Sequence, residues 1–590
     1  MNKLDKVIEL KNQKTTLIKV LIYVKKYWIY IFLSIISAGI SVASSLYILT
    51  LIGKAIDCIA GVNNVDINGL TSVLISIGIF IGTTAIFQWI MNVYNNRIVY
   101  NVISDIRKEA FEKIETLPLK YVDSHSYGEI VSRVIADVDQ FADGLLMGFT
   151  QFFTGVITIL GTLIFMFKES VPIAFVVVCL TPISIFAASF IAKKTYSMFK
   201  LQSEIRGEQT AFIDEMIGNQ KVVQAFSHEA ESSKDFEEIN LRLEKASLNA
   251  VFFSSITNPS TRFINGLVYT GVGIFGALSV INGNLTVGVL TSFLNYANQY
   301  TKPFNEISGV VTELQNSLAC AQRIFELIEE KSEVPDSPDA KELNNIKGEV
   351  VLKHVDFSYN PNKKFIEDLN ISVKPGQRIA IVGPTGCGKT TIINLLMRFY
   401  EVDNGCISID GHDIYEIKRK SLRTNYGMVL QDTWLKSGTI RDNLIMGKPD
   451  ATEEEIINAA KLAHVHNVIK RMPQGYDAII SDDGESLSQG EKQLLCIARV
   501  MLCLPPILIL DEATSSIDTR TEIKIQRAFE TMMKGRTSFI IAHRLSTIKD
   551  ADLILVMRDG KIIEQGTHNG LLEKKGFYYD LYNSQFDYSS

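Results

Sequence analysis

The chain has 590 residues, of which 47% are hydrophobic and 21% charged, and its formal net charge is −6. This length exceeds that of one ordinary domain, and a mean hydropathy of +0.14 indicates membrane-spanning segments. The acidic balance excludes nucleic-acid binding by bulk charge. The seven cysteines are scattered with no C-x-x-C pair, which is typical of free thiols in a reducing compartment.

An amphipathic segment opens the predicted structure. Residues 14–27 place Leu17, Val20, Leu21 and Val24 on one helical face, with lysines on either side. This pattern is typical of a helix lying in the membrane interface, and a helix packed on protein fits it equally well.

Six apolar stretches are long enough to cross a bilayer as helices. They are residues 28–51, 70–91, 145–167, 171–191, 263–281 and 285–311. The last stretch carries Asn295, Asn298, Gln299 and Lys302 at helical spacing. Because lipid does not tolerate such a face, we expect it to line a cavity or to contact other helices.

The basic residues predict the orientation of these spans. No Lys or Arg lies between Lys54 and Arg97 or between Arg262 and Lys302, whereas the connections after the second and fourth spans are basic. Those connections and both termini are therefore predicted to be cytoplasmic. Each connection is expected to form long helical arms that turn near residues 121–128 and 217–222.

A change of composition separates two predicted domains. Residues 1–332 form the membrane domain, and residues 333–347 are polar with two prolines, as expected of a linker. From residue 348 to residue 590, short apolar strands alternate with helical patterns, which predicts an α/β domain. The predicted strands are residues 349–359, 378–383, 424–430, 506–512 and 537–543.

A phosphate-binding loop follows the second of these strands. The sequence GPTGCGKTT fits the pattern G-x-x-x-x-G-K-[ST] and is followed by a helical pattern. In such a loop, backbone N–H groups surround the phosphates, Lys389 reaches the β- and γ-phosphates, and Thr390 holds Mg²⁺. We therefore predict ATP and Mg²⁺ as ligands. The predicted nucleotide-binding residues of the loop are Gly383, Pro384, Thr385, Gly386, Cys387, Gly388, Lys389, Thr390 and Thr391.

Two carboxylates end a strand in the same domain. Asp511 can hold Mg²⁺ opposite Thr390, and Glu512 can orient or deprotonate the attacking water. Ser488 and Gly490 precede a helix, where they form either an anion site or a simple helix cap.

Three further candidates lie at strand ends. Gln431 and His543 each follow a strand, and Tyr359 ends one. Taken alone, each of these three residues is at least as typical of an ordinary structural position as of a functional one.

Together, in this order and spacing, these motifs resemble the ATP-binding cassette (ABC) transporters of the exporter type over essentially the whole chain. The resemblance implies a six-span helical membrane domain with long cytoplasmic helical extensions, followed by an α/β P-loop ATP-binding cassette. It implies that Tyr359 stacks on adenine and that Gln431 contacts Mg²⁺ near the catalytic centre. Asp511 and Glu512 would be the metal-binding and catalytic pair, and His543 would contact the γ-phosphate.

The signature loop departs from the LSGGQ that is usual in the family. This chain has LSQGE, which retains Ser488 and Gly490 but has Gln489 and Glu491 at the changed positions. A negative charge at an anion site should weaken it. One cassette implies half of a dimer, and an altered signature beside an intact Glu512 favours a heterodimer, while a homodimer stays open.

The resemblance also implies what the protein does. It predicts ATP-driven export of a small amphiphilic, drug-like substrate across the cytoplasmic membrane, with the lipid bilayer and a second half-transporter as partners. A lipid or peptide flippase of the same fold is one alternative. An ATP-gated pore or sensor without coupled turnover is another.

Cys387 lies inside the phosphate-binding loop, beside Lys389 and a helix N-terminus. Both features favour the thiolate, so the pKa of Cys387 is expected below that of a free thiol, and its reactivity above that of the other cysteines. The alternative is a small filler whose side chain points into the strand layer.

Overall fold

The computed structural model describes most of the chain, and its contacts divide it into two units. The described residues are 15–59, 65–343, 345–360, 363–430, 433–480, 487–511, 517–541 and 548–584, without the side chains of 180, 182–196, 257, 258, 261, 305–309, 311, 312 and 584. One unit comprises Met1–Thr116 and His125–Glu330. The other comprises Leu117–Ser124 and Lys331–Ser590.

The first unit consists of helices, several of them very long. In chain order they are α1 (15–25), α2 (Trp28–Ile59), α3 (Ile67–Ile114), α5 (Tyr127–Val134), α6 (Ala136–Met147), α7 (Phe153–Glu169), α8 (Val171–Gly218), α9 (Gln220–Ala225), α10 (Glu229–Ile281) and α11 (Val287–Glu329), with a π-helical turn at Gly148–Phe152. By length and hydropathy, four described segments could cross a membrane: Trp28–Ile59, Ile67–Ile114, Tyr127–Glu169 and Arg262–Ile281. The other two predicted spans lie within α8 and α11, whose side chains are described in part.

The predicted amphipathic helix is α1, and its apolar residues divide between two faces. Val20 and Val24 are each 5% exposed and pack in a cluster with residues of α3 and α11. Leu17 and Leu21 are exposed. The two expectations for this helix therefore describe different faces, one packed on protein and one free to enter a membrane interface.

Helices α2 and α11 approach each other closely through small residues. A Cβ atom added to Gly53 would collide with Gly288, and one added to Gly288 would collide with Gly53. Beside this contact the Ser292 hydroxyl donates to the Leu49 carbonyl at 2.8 Å, and the Asp57 carboxylate accepts from the Gly288 N–H at 2.7 Å. Small and polar residues hold membrane helices together in this way because lipid removes the usual hydrophobic drive.

The predicted polar face of α11 lies opposite its packed face. Tyr296 is fully buried and its hydroxyl is 2.6 Å from the Thr50 hydroxyl, so it takes part in helix packing. Asn298 and Lys302 are exposed in the chain, and Asn295 donates to a carbonyl of its own helix. Cavity lining by this face stays a prediction.

The long arms turn where the sequence predicts. Helix α3 has 48 residues, a length of about 72 Å, and the chain turns after it through α4 (Leu119–Ser124) and α5. Helix α8 also has 48 residues, and the chain turns after it at α9. By its contacts, helix α4 belongs to the second unit.

The second unit is an α/β domain. Its strands are β1 (Val350–Phe357), β2 (Ile366–Val373), β3 (Arg378–Val382), β4 (Asn404–Ile409), β5 (His412–Asp413), β6 (Tyr426–Val429), β7 (Gly438–Thr439), β8 (Ile479–Ile480), β9 (Ile507–Asp511), β10 (Thr537–Ile541), β11 (Leu553–Arg558) and β12 (Lys561–Gly566). Its further helices are α12 (Lys389–Leu396), α13 (Arg419–Thr424), α14 (Ile440–Leu444), α15 (Glu453–Leu462), α16 (His466–Arg471), α17 (Gln489–Cys503), α18 (Thr519–Met533), α19 (His568–Lys574) and α20 (Phe577–Ser584). All five predicted strands are present, as β1, β3, β6, β9 and β10.

Two sheets organise this domain. The larger has the order β12-β11-β3-β10-β9-β6, and the smaller is antiparallel with the order β2-β1-β4-β5. Alternate residues of β3 face different cores: Ile379 and Ile381 pack toward the smaller sheet, and Ala380 and Val382 pack toward α17. Burial on both faces explains why β3 is a continuous apolar run in the sequence.

The predicted linker, residues 333–347, belongs to the second unit and is held there by ion pairs. Arg419, 7% exposed, bonds Asp336 at 3.0 Å and Glu401 at 2.7 Å. Arg423 donates to Glu333 at 2.9 Å.

The predicted fold class, a helical membrane domain followed by an α/β nucleotide-binding domain, is confirmed.

Removing the charge of Arg419 should destabilise the second unit. Arg419→Ala removes the shorter contacts of Asp336 and Glu401 and leaves both acids with only the longer contacts to Arg398, at 3.6 Å and 3.3 Å. The expected cost is about 2–3 kcal/mol, because both acids keep some contact with water. Thermal unfolding of the full chain in detergent measures the loss. Lys418→Ala removes the neighbouring exposed pair with Glu342 and should leave the melting temperature nearly unchanged. Equal shifts for both variants would contradict the role given to Arg419.

Candidate functional site

The candidate site lies where parallel strands of the larger sheet end together. Ile541 of β10 pairs with Ile381 of β3 on one side and with Asp511 of β9 on the other. Val429 of β6 pairs with Leu510 of β9, so β6 ends at the same level. Asp511 therefore lies two strand spacings, about 10 Å, from the end of β3. Ligands of open α/β sheets bind beyond such carboxyl ends.

The phosphate-binding loop leaves this edge after β3. Gly388 is the N-cap of α12 and has φ +106°, a conformation that favours glycine. A Cβ atom added to Gly383 would collide with the Met557 carbonyl of β11. The loop thus presents its backbone closely above the sheet, ahead of a helix N-terminus, which fits the phosphates of a nucleotide.

Lys389 is folded onto its own loop. Its Nζ donates to the carbonyls of Gly383 at 2.9 Å and Pro384 at 3.0 Å, and the residue is 9% exposed. A cation held by two neutral acceptors can exchange them for phosphate oxygens, which bind it more strongly.

The residues predicted to hold Mg²⁺ fit a partly protein-bound ion. Thr390 follows Lys389 in α12, and Asp511 is half-buried at the end of β9. Mg²⁺ is often held in this way, by one or two protein oxygens with water and phosphate completing the shell.

Tyr359 is supported by other aromatic rings. Its ring meets Phe357 edge-on at 4.8 Å and Tyr400 edge-on at 5.1 Å, and its hydroxyl is 3.0 Å from the hydroxyl of Thr391, the last residue of the loop. It remains 40% exposed. The backing rings therefore hold Tyr359 in place and leave part of its surface for stacking on a base.

Ser488 is a helix cap, and Glu491 completes it. The Ser488 hydroxyl accepts from the Glu491 N–H at 3.3 Å, and the Glu491 carboxylate accepts from both the N–H and the hydroxyl of Ser488, each at 2.9 Å. Ser488 therefore forms a capping box at the start of α17, which is the helix cap that the sequence offers as the alternative to an anion site. Gly490 packs tightly, because an added Cβ would be 2.5 Å from Thr521 Cγ2.

Three predicted residues, Gln431, Glu512 and His543, lie outside the described residues. In the sequence they come shortly after β6, β9 and β10, three strands that end at the same edge.

The prediction of a reactive thiolate at Cys387 is wrong. Cys387 is 3% exposed and packs in the core with Ile381 and Leu395. Burial raises the pKa of its thiol more than the charge of Lys389 lowers it. Its side chain points into the strand layer, so it fills space as the alternative described, although its backbone belongs to the loop.

Sequence reasoning missed the neighbours of the nucleotide loop. Tyr400 and Phe365 pack around Tyr359, and the Gly560 N–H donates to the Cys387 carbonyl at 3.1 Å. A signal for Tyr400 exists, since an aromatic pair, Phe399 and Tyr400, lies just beyond the end of the loop helix at Leu396. No pattern in the sequence indicates Gly560, because β11 and β12 join this site through tertiary pairing.

Two protein families match the chain. The ABC transporter transmembrane region matches residues 27–304, and the ABC transporter family matches residues 366–515.

Named relatives and a solved structure match over most of the chain. A fatty acid ABC transporter ATP-binding/permease protein of Mycobacterium tuberculosis is 42% identical over 497 residues, 84% of this chain and 78% of that protein. An ATP-dependent lipid A-core flippase of Syntrophus aciditrophicus is 34% identical over 485 residues, 82% of this chain and 80% of that protein. The structure of a bacterial Atm1-family ABC exporter with ATP bound has a TM-score of 0.76 at 27% identity, covering 95% of this chain and 98% of the other.

Burial predicts that Cys387 is unreactive in the folded chain. With a maleimide at neutral pH, peptide mass spectrometry should show Cys503, which is exposed, modified at least tenfold faster than Cys387. Unfolding in urea should remove this difference and serves as the control. Rapid labelling of Cys387 in the folded chain, blocked by MgATP, would instead restore the thiolate hypothesis.

Proposed function

The chain belongs to the ABC transporters of the exporter type, and from this premise we propose that it exports a small amphiphilic molecule outward through the cytoplasmic membrane. Members of the family are membrane proteins that bind and hydrolyse ATP, and its exporters function as dimers.

One observation carries the proposal. The segment Leu117–Ser124 lies between two helices of the membrane unit in sequence, yet it packs with the nucleotide-binding unit. A soluble ATPase has no membrane helices to which such a segment would connect. Rearrangement of the nucleotide-binding unit would move this segment and the arm α3 that is continuous with it in the chain, as an ATP-driven transporter requires.

The nucleotide site follows from the loop geometry. Tyr359 would stack on the base, the loop amides would surround the phosphates, and Lys389 would leave its two carbonyls for phosphate oxygens. Thr390 and Asp511, with Gln431, would hold Mg²⁺, which supplies charge that neutralises the phosphate oxygens.

Two further residues would act at the γ-phosphate. Glu512 would accept the proton of the attacking water, and His543 would contact the γ-phosphate. Both follow strands that end level with β3. The nucleotide-binding unit and both termini are proposed to be cytoplasmic, in agreement with the distribution of Lys and Arg.

The turn at α9 supports assembly with a second subunit. None of the six residues of α9 is buried, and Ile217, Val222 and Phe226 expose 69%, 54% and 80% of their surface. Clustered apolar residues at the end of a long arm mark an interaction site. We assign this site to the nucleotide-binding domain of the second half-transporter.

The Ser488–Glu491 contact supports a heterodimer. The Ser488 hydroxyl, which would face the phosphates of an ATP on the partner, is bound to the carboxylate of Glu491. A negative charge at this helix N-terminus opposes a second anion there. The site built with this signature would be the weaker of two, and the partner's signature would complete the site of Glu512.

The substrate is proposed to be a drug-like amphiphile, met by the exposed polar face of α11 that includes Asn298 and Lys302. A lipid or fatty acid substrate is a second candidate, favoured by the names of the two relatives. Stimulation of ATP hydrolysis distinguishes them: purified complex is assayed with amphiphilic cations, with fatty acids and with phospholipid vesicles. No turnover under any of these conditions would favour an ATP-gated pore or sensor.

Glu512→Gln should separate ATP binding from hydrolysis. Loss of a positioned base lowers turnover about 10²-fold or more, while the loop and Tyr359 keep their contacts with the nucleotide. Phosphate release measures turnover, and a fluorescent ATP analogue measures affinity. Turnover within a few-fold of the parent would exclude Glu512 as the base.

The signature loop predicts dependence on a partner. Purified alone, the chain should hydrolyse ATP weakly, and a half-transporter that bears LSGGQ should raise the rate. In the assembled complex, Glu491→Gln keeps the capping box and removes its charge, so ATP should bind about 3–10-fold more tightly. Glu454→Gln, the same change in the first turn of α15, is the control and should have no effect. Strong ATPase and transport by the chain alone would show a homodimer.

A further inference from the structure

Tyr400 lies behind the proposed base-stacking residue. Its ring is perpendicular to that of Tyr359, with centroids 5.1 Å apart and an interplanar angle of 82°, and it meets Phe357 in a similar way at 5.6 Å. Tyr400 is 7% exposed, whereas Tyr359 is 40% exposed. A base that stacks on the open side of Tyr359 would thus have Tyr400 as part of the support beneath it.

The hydroxyl of Tyr400 reaches a different element. It donates to the Asp123 carboxylate of α4, the short helix that belongs to the nucleotide-binding unit although the flanking sequence belongs to the membrane unit. Burial, followed by this hydrogen bond and the charge of Asp123, raises the pKa of Tyr400. The phenol therefore stays protonated and remains a donor across the physiological pH range.

Through these two contacts, the side chain of Tyr400 connects Tyr359 with Asp123 of α4. Edge-to-face rings are directional, so a rotation of Tyr359 caused by base stacking would change the preferred position of Tyr400. A hydrogen bond to a carboxylate is also directional and strong, so a shift of Tyr400 acts on Asp123. Helix α4 has no buried residue of its own, so contacts such as this hydrogen bond contribute to holding it.

We propose that Tyr400 is a positioning residue that transmits occupancy of the base site at Tyr359 to α4 through Asp123. The proposal rests on the ATP site of the proposed function and adds that the arm senses the base of the nucleotide, separately from its phosphates. A triphosphate without a base would occupy the loop of Gly383–Thr391 and leave α4 unchanged.

Hydrogen–deuterium exchange of residues 117–124 in the full chain with its partner tests this relay without need of turnover. In the parent, a non-hydrolysable ATP analogue should change the exchange rate of this segment at least threefold, and ribose 5-triphosphate should not. Tyr400→Phe keeps the ring and removes the hydrogen bond, so the change should be lost while affinity for the analogue stays within threefold.

Matched variants separate the relay from general damage. Asp123→Ala should have the same effect as Tyr400→Phe, and the double variant should add nothing further, because both remove one interaction. Tyr415→Phe removes a hydroxyl of the same domain that accepts from the Val402 N–H at 3.0 Å, and it should respond like the parent.

The possible outcomes decide between this proposal and the proposed function. An unchanged response in Tyr400→Phe, or an equal response of the parent to ribose 5-triphosphate, overturns the relay even if ATP hydrolysis and transport are normal. Conversely, loss of the exchange response in Tyr400→Phe, with intact analogue binding, supports the relay even if the complex shows no transport. The absence of transport would count against the proposed function alone.

Discussion

The parallel pairing of β3, β10, β9 and β6 is the constraint on which the nucleotide site depends. Ile541 pairs with both Ile381 and Asp511, so the segments that follow these strands leave the sheet at one level. A slip of one residue would exchange the two faces of β3, which are packed in different cores, and would move Asp511 relative to the phosphate loop. The burial that fixes the register therefore also aligns the chemistry.

The nucleotide-binding unit also incorporates pieces of chain from beyond its own sequence. Helix α4 packs within it, and Arg419 holds the segment of residues 333–347 through Asp336. Each attachment joins a carboxylate to a buried side chain, Tyr400 or Arg419, and a hydrogen bond is stronger there than between two groups at an open surface. The proposed transfer of motion to the arm thus uses defined contacts, of which the bond between Tyr400 and Asp123 is one.

The signature loop shows how one contact can serve folding and limit function. Glu491 completes a capping box with Ser488, which satisfies N–H groups at the start of α17. The same carboxylate binds the hydroxyl that the family resemblance directs toward a phosphate. The contact that stabilises the helix is therefore expected to reduce anion binding at its N-terminus.

The sequence by itself determined the long apolar spans, the turns of both arms, the strands that precede the functional residues and the phosphate loop, because each is a local pattern of hydrophobicity or backbone freedom. It could not determine the direction of a single side chain. Cys387 stands beside Lys389 in the sequence, yet it points into the core beside Ile381, and burial outweighs the neighbouring charge. Nor could the sequence indicate that Tyr400 contacts Tyr359 or Asp123. Asp123 lies 277 residues from Tyr400 along the chain. Such contacts follow from packing among distant segments, and only the tertiary structure decided them.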